Sequence, residues 1–182
     1  MGASATSRFQ ACRDHAATEE ALRTCGVPFT SLRNGFYATS AAHFLGDAAR
    51  SGRFALPADG PVAWTAHADL AEAAAAVLAD EGRFEGPTPP LTGAQALTFD
   101  ELAAVAGKLT GRTVTRTTLP DDRFREQLVG QGVPAGTADQ LLGIFAAARA
   151  GEFATVDPTL ATLLGRAPTA VGTVLREQLS RA

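Results

Sequence analysis

The chain has 182 residues, 46% of them hydrophobic and 19% charged, with a net charge of −3 at pH 7. That is enough for one ordinary core, and the small negative charge with scattered basic residues gives no electrostatic footprint for a nucleic-acid partner. Alanine is abundant and aromatics other than the ten Phe are few, which predicts helices joined by small contacts instead of a bulky aromatic core.

Phe9, Cys12, Ala16, Ala21 and Leu22 recur among charges over residues 8–25, and Gly26-Val27-Pro28 stops the run. A helix therefore feeds a strand over Phe29–Arg33. Thr39 or Ser40 is placed to cap a second helix through about Arg50, ended by Gly52. Short strands are expected around Arg53–Leu56 and Val62–Ala66, flanking a Pro57-Ala58-Asp59-Gly60 turn. Asp69 reads as the N-cap of a helix from Leu70 to Asp80 whose alanine face implies close packing.

Gly86-Pro87-Thr88-Pro89-Pro90 reads as a connector, and its adjacent prolines argue against a central strand leading into Leu91-Thr92. Thr98 and Glu101 have capping-box spacing, and the helix they open places Leu102, Val105, Ala106 and Leu109 on one face before Gly111 stops it. Thr113–Leu119 alternates like a half-buried strand. Helical patterns follow at Pro120–Val129, Thr137–Ala150, Pro158–Leu164 and Thr169–Leu179. The order predicts an α/β fold: a sheet portion, then a mainly helical subdomain.

Cys12 and Cys25 form neither a CxxC nor a metal-ligand spacing, and nothing resembles a signal peptide or a membrane span. A cytoplasmic protein with reduced thiols, and with no membrane partner, is expected. His15, His43 and His67 have no metal-ligand spacing either. Asp121-Asp122 suit the first turn of a helix, and no Gly-x-Ser-x-Gly elbow supports a hydrolase. His67 reads as a turn histidine bonded to backbone, with the mouth of a pocket as the competing place.

The chemistry concentrates in Leu32-Arg33-Asn34-Gly35-Phe36-Tyr37, directly after a strand, where open α/β sheets present groups to ligands. Asn34 can donate to and accept from an amide, and Gly35 permits close backbone approach. A plain strand-to-helix turn explains the same two residues. Arg33 has a lesser claim on the pocket and an alternative partner in a structural carboxylate. Phe36 and Tyr37 offer flat surfaces for a ring, with core packing as the competing account. Tyr37 is the only tyrosine and Lys108 the only lysine, so the Tyr-x-x-x-Lys pair of typical short-chain dehydrogenases is absent. No Gly-rich phosphate-binding turn precedes residue 34.

Taken with His15-Ala16-Ala17-Thr18-Glu19-Glu20-Ala21-Leu22, Ala68-Asp69-Leu70-Ala71, Leu97–Leu102, Leu109–Arg112 and Val156-Asp157-Pro158 before Leu163–Thr169, the Gly26–Tyr37 segment resembles the NmrA-like branch of atypical short-chain dehydrogenases, in particular its bacterial NAD(P)H:quinone oxidoreductases. The resemblance spans nearly the whole chain. It implies a partial Rossmann-type fold, with residues 1–82 ending the Rossmann-like portion and 83–182 forming a mainly helical substrate side. The Gly-rich half, on the order of 100–150 residues, is expected to be missing. It also implies hydride transfer from NADH or NADPH to a quinone-like small molecule, with weak or absent nucleotide binding by this chain alone. Asn34, Gly35, Phe36 and Tyr37 would hold the nicotinamide side. His15 would stand where relatives carry a lysine near the ribose, as the catalytic candidate; an exposed helix-face histidine is the plain alternative. The apolar run Leu141–Ala147 would line a quinone pocket or a subunit contact. A non-catalytic NAD(P) redox sensor, or a shortened chain without cofactor function, are the alternatives in function. Self-association through the Phe29–Arg33 strand, or pairing with the absent half, is the expectation for partners.

Overall fold

The computed structural model describes residues 2–180. Helix α1 (Gln10–Thr24) leads into β1 (Thr30–Ser31), which runs parallel to β5 (Gly86–Pro87) with Thr30 opposite Gly86. The pairing resumes at a parallel bridge between Asn34 and Leu91. Between these points Pro89 and Pro90 have no N–H to give a ladder. Instead the Arg33 amide donates to Thr88 Oγ1 at 3.1 Å and the Leu91 amide to the Arg33 carbonyl at 2.9 Å. Regular pairing is thus shorter than the expected Phe29–Arg33 strand, and the proline connector also serves as its partner.

Strand β2 (Phe36–Tyr37) follows at once and pairs parallel with β4 (Val62–Thr65), which is buried along its length and antiparallel to β6 (Ala96–Leu97). Strand β3 (Arg53–Pro57) pairs parallel with β7 (Thr115–Leu119), joining residues on either side of position 82. The strands beside the Pro57–Gly60 turn therefore pair elsewhere and not with each other.

The helix expected from Thr39 to Arg50 is two helices, α2 (Ala38–Leu45) and α3 (Ala48–Ser51). Gly46 at φ 50 closes the first and Gly52 at φ 73 the second. Tyr37 occupies the N-cap of α2, and neither Thr39 nor Ser40 caps it with a side chain. Helix α4 (His67–Ala79) starts three residues before the expected Leu70. Helix α5 (Phe99–Thr110) has the full capping box, with the Thr98 amide donating to Glu101 Oε2 at 2.7 Å. The C-terminal third is helical: α6 (Asp121–Gly130), α7 (Ala135–Arg149), α8 (Thr159–Leu164) and α9 (Val171–Leu179). Helix α9 packs on α2 and α5, and α8 on α4.

The core corrects the composition-based expectation. A run of aromatic contacts crosses it, with centroids 5.2 Å apart for Phe36–Phe153, 5.5 Å for Phe36–Trp64, 5.6 Å for Trp64–Phe99, 6.0 Å for Phe99–Phe145 and 5.5 Å for Phe124–Phe145. Folding gathers most of the ten phenylalanines in one place, where tilted and edge-on pairs add to area burial. Among the described residues no helix is long and apolar enough to cross a membrane, no group of His, Cys, Asp or Glu is placed to hold a metal, and both cysteines are free.

Asp69 also departs from its expected role. Ala66 holds the N-cap of α4, while Asp69 lies in the first turn with 0% of its surface exposed. Its carboxylate accepts from Arg166 Nη2 at 2.9 Å, the Thr169 amide at 2.6 Å and Thr169 Oγ1 at 3.0 Å. It tethers the segment between α8 and α9 across about a hundred residues of chain, and its negative charge also suits a helix N-terminus. Asp69→Ala leaves several donors unpaired, so we expect a loss of ~1–3 kcal/mol, larger than that of the half-buried cap variant Thr98→Ala. Urea unfolding of both variants measures this, and equal midpoints would contradict the tether.

Candidate functional site

A cavity of about 150 Å³ opens at the C-terminal end of β1, between that strand and α1. Residues His15, Thr18 and Glu19 occupy i, i+3 and i+4 positions, so one face of α1 delivers all three. Ser31 ends β1 and Arg33 follows just beyond it, both directed to Glu19 on α1, with Asn34 and Tyr37 further along.

The wall is organised by Glu19, only 4% exposed. Its carboxylate takes a two-pronged approach from Arg33, Nε to Oε1 at 3.0 Å and Nη2 to Oε2 at 2.6 Å, and accepts from Ser31 Oγ at 3.0 Å. The Arg33 hydrogen bonds, outweighing burial, hold the Glu19 carboxyl below the usual glutamate range, and Glu19 in turn raises Arg33. Arg33 thus has the carboxylate partner that its sequence context left open. Sequence reasoning missed Glu19; the available signal was its four-residue spacing from His15.

Three of the five expected site residues meet on this cavity: His15, Asn34 and Tyr37. His15 is exposed on the α1 face. Asn34 Oδ1 is buried without a hydrogen-bond partner among the described residues. Tyr37 is 38% exposed, and its ring centroid lies 4.3 Å from that of His67, tilted by 35°. His67 stands at the start of α4 with Nδ1 3.5 Å from Thr39 Oγ1, so it meets a side chain instead of the expected backbone.

Gly35 and Phe36 lie away from the cavity. Successive strand residues face opposite ways, and Phe36, 9% exposed, enters the aromatic core while Tyr37 faces out. Gly35 is held by close approach: its amide donates to Leu91 O at 2.7 Å, and a Cβ there would strike the Thr65 hydroxyl and sit 2.8 Å from Leu91 O. That hydroxyl cannot yield easily, because it donates to Ala63 O and accepts from the Gly93 amide, each at 3.0 Å. The Leu141–Ala147 run is divided: Phe145 is in the core, while Leu141 and Ile144 line a separate groove of about 490 Å³ with Phe44 and Phe124. Asp121 is structural, pairing with Arg149 at 2.7 Å.

The arrangement is that of a small cavity at a strand's carboxyl end, lined by an imidazole, a phenol and an ion pair, with a buried, unpartnered amide oxygen on the lining residue Asn34. The NmrA-like family model matches residues 10–169, and the chain belongs to that family. It is 35% identical over 176 residues to quinone oxidoreductase 2 of Escherichia coli (strain K12), covering 96% of this chain and 60% of that protein. It is 31% identical over 159 residues to the NmrA-like family domain-containing oxidoreductase flvB of Aspergillus flavus, covering 86% and 52%. Among solved structures, the NADPH complex of the NADPH-dependent quinone oxidoreductase of E. coli matches with a TM-score of 0.87 at 32% identity, over 96% of this chain and 62% of that one. The NADP(H) complex of Citrobacter sp. triphenylmethane reductase matches with a TM-score of 0.78 at 32% identity, over 91% and 58%. The chain spans 52% to 60% of the lengths of the curated relatives it matches.

The Glu19–Arg33 pair sets an acid dependence. With the folded pKa of Glu19 lowered, the unfolded chain binds the extra proton first as pH falls. The pair's stabilisation is therefore complete above the unfolded glutamate value of ~4.3 and is lost as pH drops through the folded value. Melting temperature followed from neutral to acid pH should fall less steeply in Glu19→Gln than in the parent; parallel acid limbs would count against the pair.

Proposed function

We propose that this chain forms the nicotinamide and substrate side of an NAD(P)H-dependent oxidoreductase that reduces a flat, quinone-like acceptor. The observation that carries this reading is Asn34: a buried, unpartnered amide oxygen on a residue that lines a polar cavity at a strand's carboxyl end. An unmade hydrogen bond of that kind costs stability, and the carboxamide NH₂ of a nicotinamide supplies the missing donor. The residues present fit the group. Asn34 would hold the carboxamide, Tyr37 would offer its exposed ring edge, and His15 would reach a ribose hydroxyl or relay a proton. Gly35 and Phe36 act from behind, the first by letting the strands close and the second by anchoring the strand in the core.

When bound, the reduced nicotinamide supplies the hydride, and the chain supplies position and shielding from water. No nucleophile is required of the protein. Relatives are named for quinone, azo-compound and triphenylmethane reduction, all of them conjugated acceptors, which supports an acceptor of that class. Because residues 1–182 contain no Gly-rich phosphate turn, most of the nucleotide's charged contacts would come from outside this chain.

The test is an NMR titration of the chain with NADPH. We expect shifts centred on His15, Asn34 and Tyr37 and a dissociation constant weaker than ~1 µM. Asn34→Ala should weaken binding about 5- to 150-fold, the equivalent of one unpaired amide, whereas Phe36→Leu should lower the melting temperature and leave affinity intact. Unchanged affinity in Asn34→Ala would remove the pocket from this strand. For activity, the chain fused behind a homologous Rossmann half should consume NADPH when a naphthoquinone is added, and no consumption would overturn the oxidoreductase reading.

A further inference from the structure

We infer that Glu19 is a positioning residue whose carboxylate fixes the Arg33 guanidinium at the cavity wall and balances its charge, and that this balance sets the relative affinity for reduced and oxidised nicotinamide. The inference rests on the reading that the cavity takes the nicotinamide end of NAD(P)H.

Two of the three Arg33 nitrogens, Nε and Nη2, are spent on Glu19. The third, Nη1, has no hydrogen-bond partner among the described residues, and the side chain, 31% exposed, contributes to the cavity lining. A guanidinium held along one edge by two donors keeps its remaining donors in a fixed plane, which suits a single carbonyl oxygen. Glu19 is held as firmly, since both its oxygens are engaged and Ser31 Oγ adds a third bond.

Among the described residues, Glu19 and Arg33 are the only carboxylate and guanidinium lining the cavity, which the imidazole of His15 also lines. The neighbouring charges are engaged elsewhere: Asp14 accepts from Gln10, and Glu20 pairs with Arg23 on the exposed side of α1. The pair therefore adds no net charge to the cavity while both partners are ionised. The reduced nicotinamide ring is uncharged and the oxidised ring carries one positive charge, and the intact pair presents no net charge to either. Removing one partner breaks that symmetry, with a sign fixed by which partner goes. Glu19→Gln leaves a bare guanidinium, which repels the oxidised ring. Arg33→Gln leaves a bare carboxylate, which attracts it.

The experiment measures dissociation constants for NADPH and NADP⁺ by NMR titration of the folded parent, Glu19→Gln, Arg33→Gln and the double variant. The ratio of the two constants should move about tenfold toward NADPH in Glu19→Gln and about tenfold toward NADP⁺ in Arg33→Gln, the scale of one unit charge several ångströms away at a partly exposed site. The double variant should return near the parental ratio. A purely structural role weakens both nucleotides alike and leaves the ratio fixed, and opposite signs keep the test decisive with either single variant alone. A constant ratio in folded variants overturns the inference while the nicotinamide reading stands. If neither nucleotide shifts the cavity resonances of the parent, that reading fails and the inference with it.

Discussion

Between Phe29 and Tyr37 the backbone is shared by two ladders: first it pairs with the 86–91 segment, then with β4. The exchange falls at Asn34-Gly35, where the Leu91 carbonyl and the Thr65 side chain both close on the chain. A side chain at position 35 has no room, so the two pairings can meet there only through glycine. This steric constraint lets one short segment belong to both the parallel pair at the cavity and the buried strand that leads into the core.

From that junction the alternation of strand side chains distributes the work. Ser31 and Arg33 face α1 and hold Glu19, Phe36 turns inward to Trp64 and Phe153, and Tyr37 turns outward against His67. The same strand thus builds the cavity wall and plugs the aromatic core. The ion pair in the cavity wall is bought with desolvation, which three hydrogen bonds to one carboxylate offset.

What the sequence revealed was what is local. The Thr98–Glu101 capping box, the Gly111 stop and the β-branched run of β7 are decided within a few residues, and each stands in the structure. The Arg33–Tyr37 turn was legible as a site because it follows a strand, and three of the five residues singled out from sequence lie on one cavity. What escaped depends on distant chain. Asp69 has the composition of a cap, yet its partners are Arg166 and Thr169. Composition counted the phenylalanines but could not show that Phe36, Phe99, Phe124, Phe145 and Phe153 converge. The break at Gly46 is local as well, a glycine at φ 50 whose amide closes α2 on the Ala42 carbonyl, but the run to Gly52 reads as one helix when that glycine is passed over.

The start of α1 is stitched to the far end of α7. Ser7 Oγ donates to Glu152, the Arg8 amide donates to the same carboxylate at 3.1 Å, and Gly143 lies against Arg8 and Phe9. The helix that carries His15 and Glu19 is therefore aligned by residues well over a hundred positions later in the chain. During synthesis α1 emerges well before the residues that orient it, so the cavity is completed only after α7 has been made. Contacts of such long sequence separation slow folding, and they place the geometry of α1 under the control of residues made well over a hundred positions after it.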